Sequence, residues 1–301
     1  MKVICGSMTS PKVGVVVLNL NGADVLKECL ASITDIDYQN VVVVIVDNGS
    51  TDGSPKIVTD EFPSFHLIEN GKNLGVPEGQ NIGIRYCLGV GSDFVFVLNN
   101  DLIIDRFAVS ELLKHSADDS IGVSGPIVYS AQDPEIVQSA GGMIRWTRGK
   151  AYTMLAGQKP TQMPVIFDVD YMGLPFIKAE VLSKVGLYDS NYFAYWEDSD
   201  FCTRVKRAGY RVVSVASVKV WHKGSHTTSR MSGFVSYYMT RNRFRFMKMH
   251  ATGVQYAAFL LHFIFIEFWL ETMKHLANPQ EGGSMSAFFR GTLAGLSSSR
   301  K

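Results

Sequence analysis

Cysteine is scarce in this 301-residue chain. Cys5, Cys29, Cys87 and Cys202 stand far apart and form no CxxC pair. That pattern disfavours a zinc knuckle or a disulfide scaffold and points to reduced thiols in a cytosolic setting. Charge of one sign is lacking too: 29 Lys and Arg against 28 Asp and Glu leave +1, so no global field selects nucleic acid as a partner. No Gly-Lys-Ser/Thr occurs, and the spacing Gly75, Gly79, Gly83 is neither GxGxxG nor a P-loop. P-loop hydrolysis and Rossmann-type dinucleotide binding are therefore disfavoured, and a GxSxG elbow is absent as well. Met1 to Pro11 lacks the apolar core of a signal peptide. The expectation is a cytoplasmic folded protein without a nucleic-acid partner.

What the chain does contain is a series of short apolar runs that end in carboxylates. Phe94 to Leu98 is rich in Val and Phe, reads as a strand buried on both faces, and stops at Asn99-Asn100-Asp101. Lys12 to Asn19 predicts a first strand, and Val41 to Asp47 a second that also closes on an acid. Phe65 to Glu69 predicts a third, Ile121 to Tyr129 another, and Arg211 to Trp221 a last one with His222 following it. Between them the periodicity predicts helices over Ala23 to Ile33, from Pro55 with Ser54 as N-cap, and to about Leu88. Strands alternating with helices mean an α/β protein with a mostly parallel sheet. Ligands of such sheets bind beyond the strands' carboxyl ends, where Asp47 and Asp101 both fall. Residues 138 to 166 give weak strand signals only, and Asp168 to Val181 reads as an extended run broken by Gly173 and Pro175.

Each candidate residue also has a structural reading. Asp47 opens Asp-Asn-Gly-Ser-Thr-Asp, which is equally a tight turn. Glu197, Asp198 and Asp200 begin a helix, where acids complement the dipole by about 0.3–1 kcal/mol each. Tyr192, Phe193, Tyr195 and Trp196 just before them supply an apolar platform of the kind that binds a sugar face and raises a carboxylate's proton affinity. Such a carboxylate is suited to take a proton from an attacking hydroxyl. His222 ends a strand on the same side, with His226 as a competitor, and the two have no zinc-site spacing.

Taken in order, VVVLNLNG, VDNGSTDGS, NLGVPEGQNIGI, VLNND, the block GLPFIKAEVLSKVGLYDSNYFAYWEDSDFCTRVKRAGY, WHKGS and YYMTRNRFRF resemble the family 2 glycosyltransferases over residues 13 to 245. Within that family the chain is most similar to the branch that adds rhamnose-type sugars. The resemblance implies a GT-A fold: a mostly parallel central sheet flanked by helices, here with a C-terminal helical extension. It implies a catalytic domain over residues 1–230, with a nucleotide-sugar half at 11–130 and an acceptor half at 131–230, followed by a helical segment at 231–301. It also implies an inverting, metal-dependent transfer from a nucleotide-sugar, UDP- or dTDP-linked, to a hydroxyl of a glycan or lipid-linked glycan. On this basis Asp47 contacts the base, Asn99 and Asn100 lie near ribose and diphosphate, and Asn19, Asn21, Asn48, Gly75 and Asn81 belong to the donor pocket. Asp101 matches the metal ligand of the DxD-type motif, with Asn99 where the first Asp of that motif would stand. His222 resembles the histidine that completes a Mn²⁺ or Mg²⁺ site. Asp198 matches the catalytic base, supported by Glu197.

Two other functions share the layout. A sugar-1-phosphate nucleotidyltransferase wants a glycine-rich basic loop after the first strand, and Asn19 to Asp24 has one glycine and no cation. A non-catalytic nucleotide-sugar-binding or assembly protein has no need of Asp101, Asp198 and His222 together. In the tail, Arg241, Arg245 and Lys248 at i, i+4, i+7 precede an apolar run, Ala257 to Leu270, shorter than the roughly 20 residues of a bilayer span. Two readings stand side by side: a helix lying on the anionic inner face of the cell membrane, or one packed on the catalytic domain or in a homodimer contact.

Overall fold

The computed structural model describes residues 10–224, 233–277 and 282–298. Among the described residues, twelve strands and ten helices follow one another in the order β1 Val13–Asn19, α1 Leu26–Thr34, β2 Val41–Asp47, α2 Ser54–Glu61, β3 His66–Glu69, α3 Val76–Gly89, β4 Phe94–Asn99, β5 Leu102–Ile104, α4 Ala108–Ser116, β6 Ile121–Ser130, β7 Val137–Ser139, β8 Gly142–Arg145, β9 Lys150–Thr153, β10 Ile166–Asp168, β11 Phe176–Lys178, α5 Ala179–Val185, α6 Glu197–Arg207, β12 Arg211–His222, α7 Phe234–His250, α8 Gly253–His262, α9 Phe268–Ala277 and α10 Gly282–Ser297. The main sheet runs β10-β12-β6-β11-β4-β1-β2-β3, with β5 on β12 and β7 on β6; β8 and β9 form a separate hairpin.

The valine runs explain why the sheet is sandwiched. Alternate residues of a strand face opposite sides. Accordingly Val15, Val17, Ile45, Phe96 and Leu98 enter one core with α1 and α4, while Val16, Val44, Val46, Val95 and Val97 enter the other with α3 and α6. Only a central strand covered on both faces can bury every residue in this way. β1, β2, β3 and β4 are parallel, as are β6 and β12, but β11 is antiparallel to both β4 and β6 and joins the two groups.

Several boundaries differ from expectation for local reasons. Ser54 is inside α2 and Gly53 is its N-cap; Asp52 takes the capping role, accepting from Ser54 N at 3.0 Å and Ser54 Oγ at 2.7 Å. The extended run ends at Lys178, because residues from Ala179 turn into α5. His222 is the last residue of β12 rather than the one after it. The unread region 138–166 supplies β8 and β9.

The basic stripe of α7 faces protein. Arg241 donates to Asn191 O and Tyr192 O, Arg245 to Asp189 Oδ2, and Lys248 to the carbonyls of Gly295, Leu296 and Ser298. Of the two readings of the tail, these contacts match a basic stripe packed on protein rather than a free cationic face. The apolar run is longer than it reads: Gly253–Lys274 is a 22-residue helix containing an 18-residue stretch of mean hydropathy 1.5, long and apolar enough by length and composition to cross a membrane. It contains a π-bulge at Phe263–Glu267. One side docks on α7 through Phe259, Phe263 and the bidentate pair Arg243–Glu267 at 2.6 and 2.7 Å.

Candidate active site

A cleft of about 410 Å³ opens beyond the carboxyl ends of β1, β4 and β12. Asn48, Gly75, Asn99, Asn100, Asp101, Glu197, Asp198 and His222 all line it. Asn19, Asn21, Asp47 and Asn81 do not appear on its wall. Their side chains work behind it. Asp47 is 2 % exposed; Oδ1 accepts from Asn19 Nδ2 at 2.8 Å and Ser50 Oγ at 2.5 Å, and Oδ2 from the backbone of Gly49 and Ser50. Asn19 adds a bond to Ser54 Oγ and accepts from Asn100 Nδ2 at 2.7 Å. The β1–β2 register puts Asn19 opposite Asp47, so two strand ends and the 48–54 turn become one hydrogen-bonded unit. Asn21 caps this turn from outside, with Oδ1 accepting from Thr51 N. Asn81 ties α3 to Tyr188 through the Tyr188 N and O atoms.

Asp101 and His222 are 121 residues apart and meet because β5 folds back antiparallel on β12, pairing Leu102 with His222. His222 Nε2 lies 3.0 Å from Asp101 Oδ2. Its Nδ1 lies 2.7 Å from Gln138 Oε1, whose own amide nitrogen points at His222 O. That pattern assigns the ring proton to Nδ1. The Nε2 lone pair of the neutral ring then faces a carboxylate oxygen, acceptor against acceptor, which a cation or a second proton between them resolves. Asp101 Oδ1 is buried and has no hydrogen-bond partner, an expensive condition for a carboxylate oxygen in a protein interior. Hard oxygen plus imidazole suits Mn²⁺ or Mg²⁺, so these residues fit the expected ion. Among the described residues no group of three or more His, Cys, Asp or Glu is placed to hold a metal ion; the described residues offer two ligands here.

The same cleft is lined by the acid pair at the start of α6. Three of the four residues before Glu197 have left-handed backbone: Phe193, Tyr195 and Trp196, with φ of 63°, 65° and 73°. Each costs on the order of 1–2 kcal/mol for a residue with a Cβ. Phe193 and Tyr195 line the cleft, while Tyr192 and Trp196 are buried in an aromatic core with Phe244 and Phe246. Burial, and then the Asp198 charge, push the Glu197 carboxyl up to about 8; Glu197 Oε2 has no hydrogen-bond partner. Asp198 is also raised above its ordinary value by burial, against the Ser199 N–H and hydroxyl that hold Oδ1 at 2.6 and 3.2 Å. Asp200, the third acid, turns into the core, 2.7 Å from His250 Nε2 and 2.9 Å from Arg204 Nε. His226 lies outside the described residues.

Gln138 escaped the sequence reading because it sits on a three-residue strand with no periodicity to betray it. Gln80, Gly173 and Phe234 also line the cleft without a local signal.

The profile of the family described as Glycosyl transferase family 2 matches residues 14–169. A dTDP-rhamnosyl transferase, RfbF, from Shigella flexneri is 26 % identical over 231 residues, covering 74 % of this chain and 76 % of that protein. An N-acetylglucosaminyl-diphospho-decaprenol L-rhamnosyltransferase from Mycobacterium tuberculosis is 28 % identical over 229 residues, 68 % of this chain and 74 % of that one. Among solved structures, the mannosyltransferase PcManGT from Pyrobaculum calidifontis, in complex with GDP-Man and Mn²⁺, superposes with a TM-score of 0.57 at 17 % identity, covering 96 % of this chain and 88 % of that one. GalNAc-T7 with UDP, GalNAc and Mn²⁺ gives a TM-score of 0.64 at 16 % identity, covering 79 % and 48 %. The fold is of the GT-A type, and with the profile spanning more than half its length the chain belongs to glycosyl transferase family 2.

Proposed function

We propose that the chain is an inverting, metal-dependent glycosyltransferase that moves a deoxyhexose or hexose from a dTDP- or UDP-sugar to a hydroxyl of a glycan or lipid-linked glycan. One observation carries the reading: Asp101 with His222, and Asp198 with Glu197, line one and the same cleft beyond the sheet's carboxyl ends. In this reading the catalytic domain is 1–230, split into donor and acceptor halves near residue 130, and 231–301 is a helical attachment.

Asp47 and Asn19 hold the 47–54 turn against the base, with Asn21, Asn48, Gly75 and Asn81 shaping the wall behind it. Asn99 and Asn100 lie along the ribose and diphosphate. Asp101 and His222 would hold Mn²⁺ or Mg²⁺, whose charge when bound makes the nucleoside diphosphate a better leaving group. Asp198 takes the proton from the acceptor hydroxyl as its oxygen attacks the anomeric carbon from the face opposite the diphosphate, which inverts configuration there. Burial with Glu197 keeps that carboxylate basic enough for the transfer. Phe193 and Tyr195 offer ring faces to the sugars.

The relatives that suggest the sugar are the two named above as rhamnosyltransferases. The exposed face of the 253–274 helix, with Phe265 71 % and Trp269 60 % accessible, supports a peripheral position on a membrane that carries the acceptor. The test is a panel of nucleotide-sugars with Mn²⁺ or Mg²⁺, scored by release of the nucleoside diphosphate. Asp101→Ala is expected to lose metal dependence and donor binding. Asp198→Ala should bind donor and fail to turn over. Full turnover by Asp198→Ala would refute the assignment of the base.

A further inference from the structure

The YYMTRNRFRF run contributes nothing to the donor wall, yet its central residue is fully buried: Asn242, on α7, is 0 % exposed. Its Nδ2 lies 2.8 Å from Tyr192 O, 2.6 Å from Ala194 O and 2.9 Å from Tyr195 O. Its Oδ1 accepts from Arg241 Nε at 2.8 Å, and Arg241 itself donates to Asn191 O and Tyr192 O. Those carbonyls belong to the stretch whose backbone is left-handed at Phe193, Tyr195 and Trp196. The remaining carbonyl, Phe193 O, accepts from Val76 N at 2.7 Å. It can approach that closely because Gly75 has no Cβ, which would lie 2.6 Å from the same oxygen. Every carbonyl from Tyr192 to Tyr195 is therefore held by a donor from another element, α3 on one side and α7 on the other. Glu197 and Asp198 follow directly after Trp196, at the start of α6.

A strained backbone persists only where its surroundings over-determine it. The side chain that does so here needs two N–H donors at one end, for the carbonyls, and an acceptor behind them, for Arg241. Only an amide has both. An aspartate of the same shape would set acceptor against acceptor, and a glutamine would carry the amide one methylene too far.

We infer that Asn242 is a positioning residue: its amide holds the 192–196 backbone in the left-handed path that sets where Glu197 and Asp198 face the cleft. The inference rests on the reading of Asp198 as the base. Its test uses the full chain with Asn242→Asp, and Asn242→Ser in case the first does not fold. Hydrogen exchange followed by mass spectrometry should show peptides over 190–200 exchanging about tenfold or more faster, with those of β1 to β4 unchanged. Release of dTDP from dTDP-rhamnose should fall about 30-fold or more in kcat, since displacements near 1 Å at a reacting group cost that much. The Kd for dTDP with Mn²⁺ should move less than about threefold, because Asp101 and His222 are on other elements. A loop that exchanges no faster would overturn the inference. So would exchange that quickens throughout the chain while kcat and dTDP binding fall together, the signature of a merely structural residue. Asp198→Asn run beside these variants separates the two readings. If it turns over normally, both fall; if it is inactive while Asn242→Asp and Asn242→Ser keep full kcat, only the clamp falls.

Discussion

Replacing Glu197 by Gln should stabilise this protein while slowing it. The carboxyl is pushed from an ordinary 4.5 up to about 8 by burial and by the charge of Asp198, so the folded state holds its proton more tightly than the unfolded chain does. One decade in a proton equilibrium is about 1.36 kcal/mol, so full ionisation would cost the folded state about 5 kcal/mol at most. Part of Glu197 remains on the cleft surface, where water screens the charge, which brings the expected cost to roughly 2 kcal/mol. The sign follows from linkage: the stability is fully present below pH 4.5 and is lost as pH rises towards about 8. The amide of the Glu197→Gln variant never ionises and escapes the loss. Urea unfolding of wild type and Glu197→Gln at pH 4 should give the same free energy. At pH 9 the variant should be more stable by roughly 2 kcal/mol, with a melting temperature higher by roughly 4 °C. A gain that does not change with pH, or a loss at pH 9, would refute the claim that a buried negative charge is what the folded state tolerates there.

Gly75→Ala forces a Cβ onto a residue at φ +84°, 2.6 Å from Phe193 O; a loss of about 2–4 kcal/mol in urea unfolding is expected, together with faster exchange over 190–200. Gln138→Leu leaves His222 Nδ1 without the acceptor that orients its ring, so Mn²⁺ affinity measured by electron paramagnetic resonance or calorimetry should fall about tenfold or more. Double replacement Phe265→Asp and Trp269→Asp should abolish co-sedimentation with anionic vesicles while leaving donor binding unchanged. If the variants sediment as wild type does, the exposed helix face has another partner, and a shift from dimer to monomer in light scattering would identify a second copy.

Much of the fold was legible because its central strands are fully apolar. Val13 to Val17, Val41 to Val46 and Phe94 to Leu98 leave no polar face, and such runs satisfy both their hydrogen bonds and their side chains only in the middle of a covered sheet. Antiparallel β11 was not legible. Three residues carry no period, and the helix that follows overrode the extended reading from Ala179 onward. In the tail, Arg241, Arg245 and Lys248 share a helix as their spacing predicts, but helical spacing says which side chains share a face and nothing about what that face meets, so it leaves membrane and protein contact open.

The carboxylates draw the same distinction more sharply. Composition and position alone determined that Asp47, Asp101, Asp198 and Asp200 would stand at strand ends or at a helix start. Only the tertiary structure decided which of them are consumed by the fold and which remain available. Asp47 is saturated partly by Asn19, 28 residues away, and Asp200 by His250, 50 residues away. Asp101 keeps a buried oxygen without a partner, as does Glu197 beside Asp198. Whether an acid is left free depends on donors delivered by distant elements, and chain closure, not local sequence, brings those donors into reach.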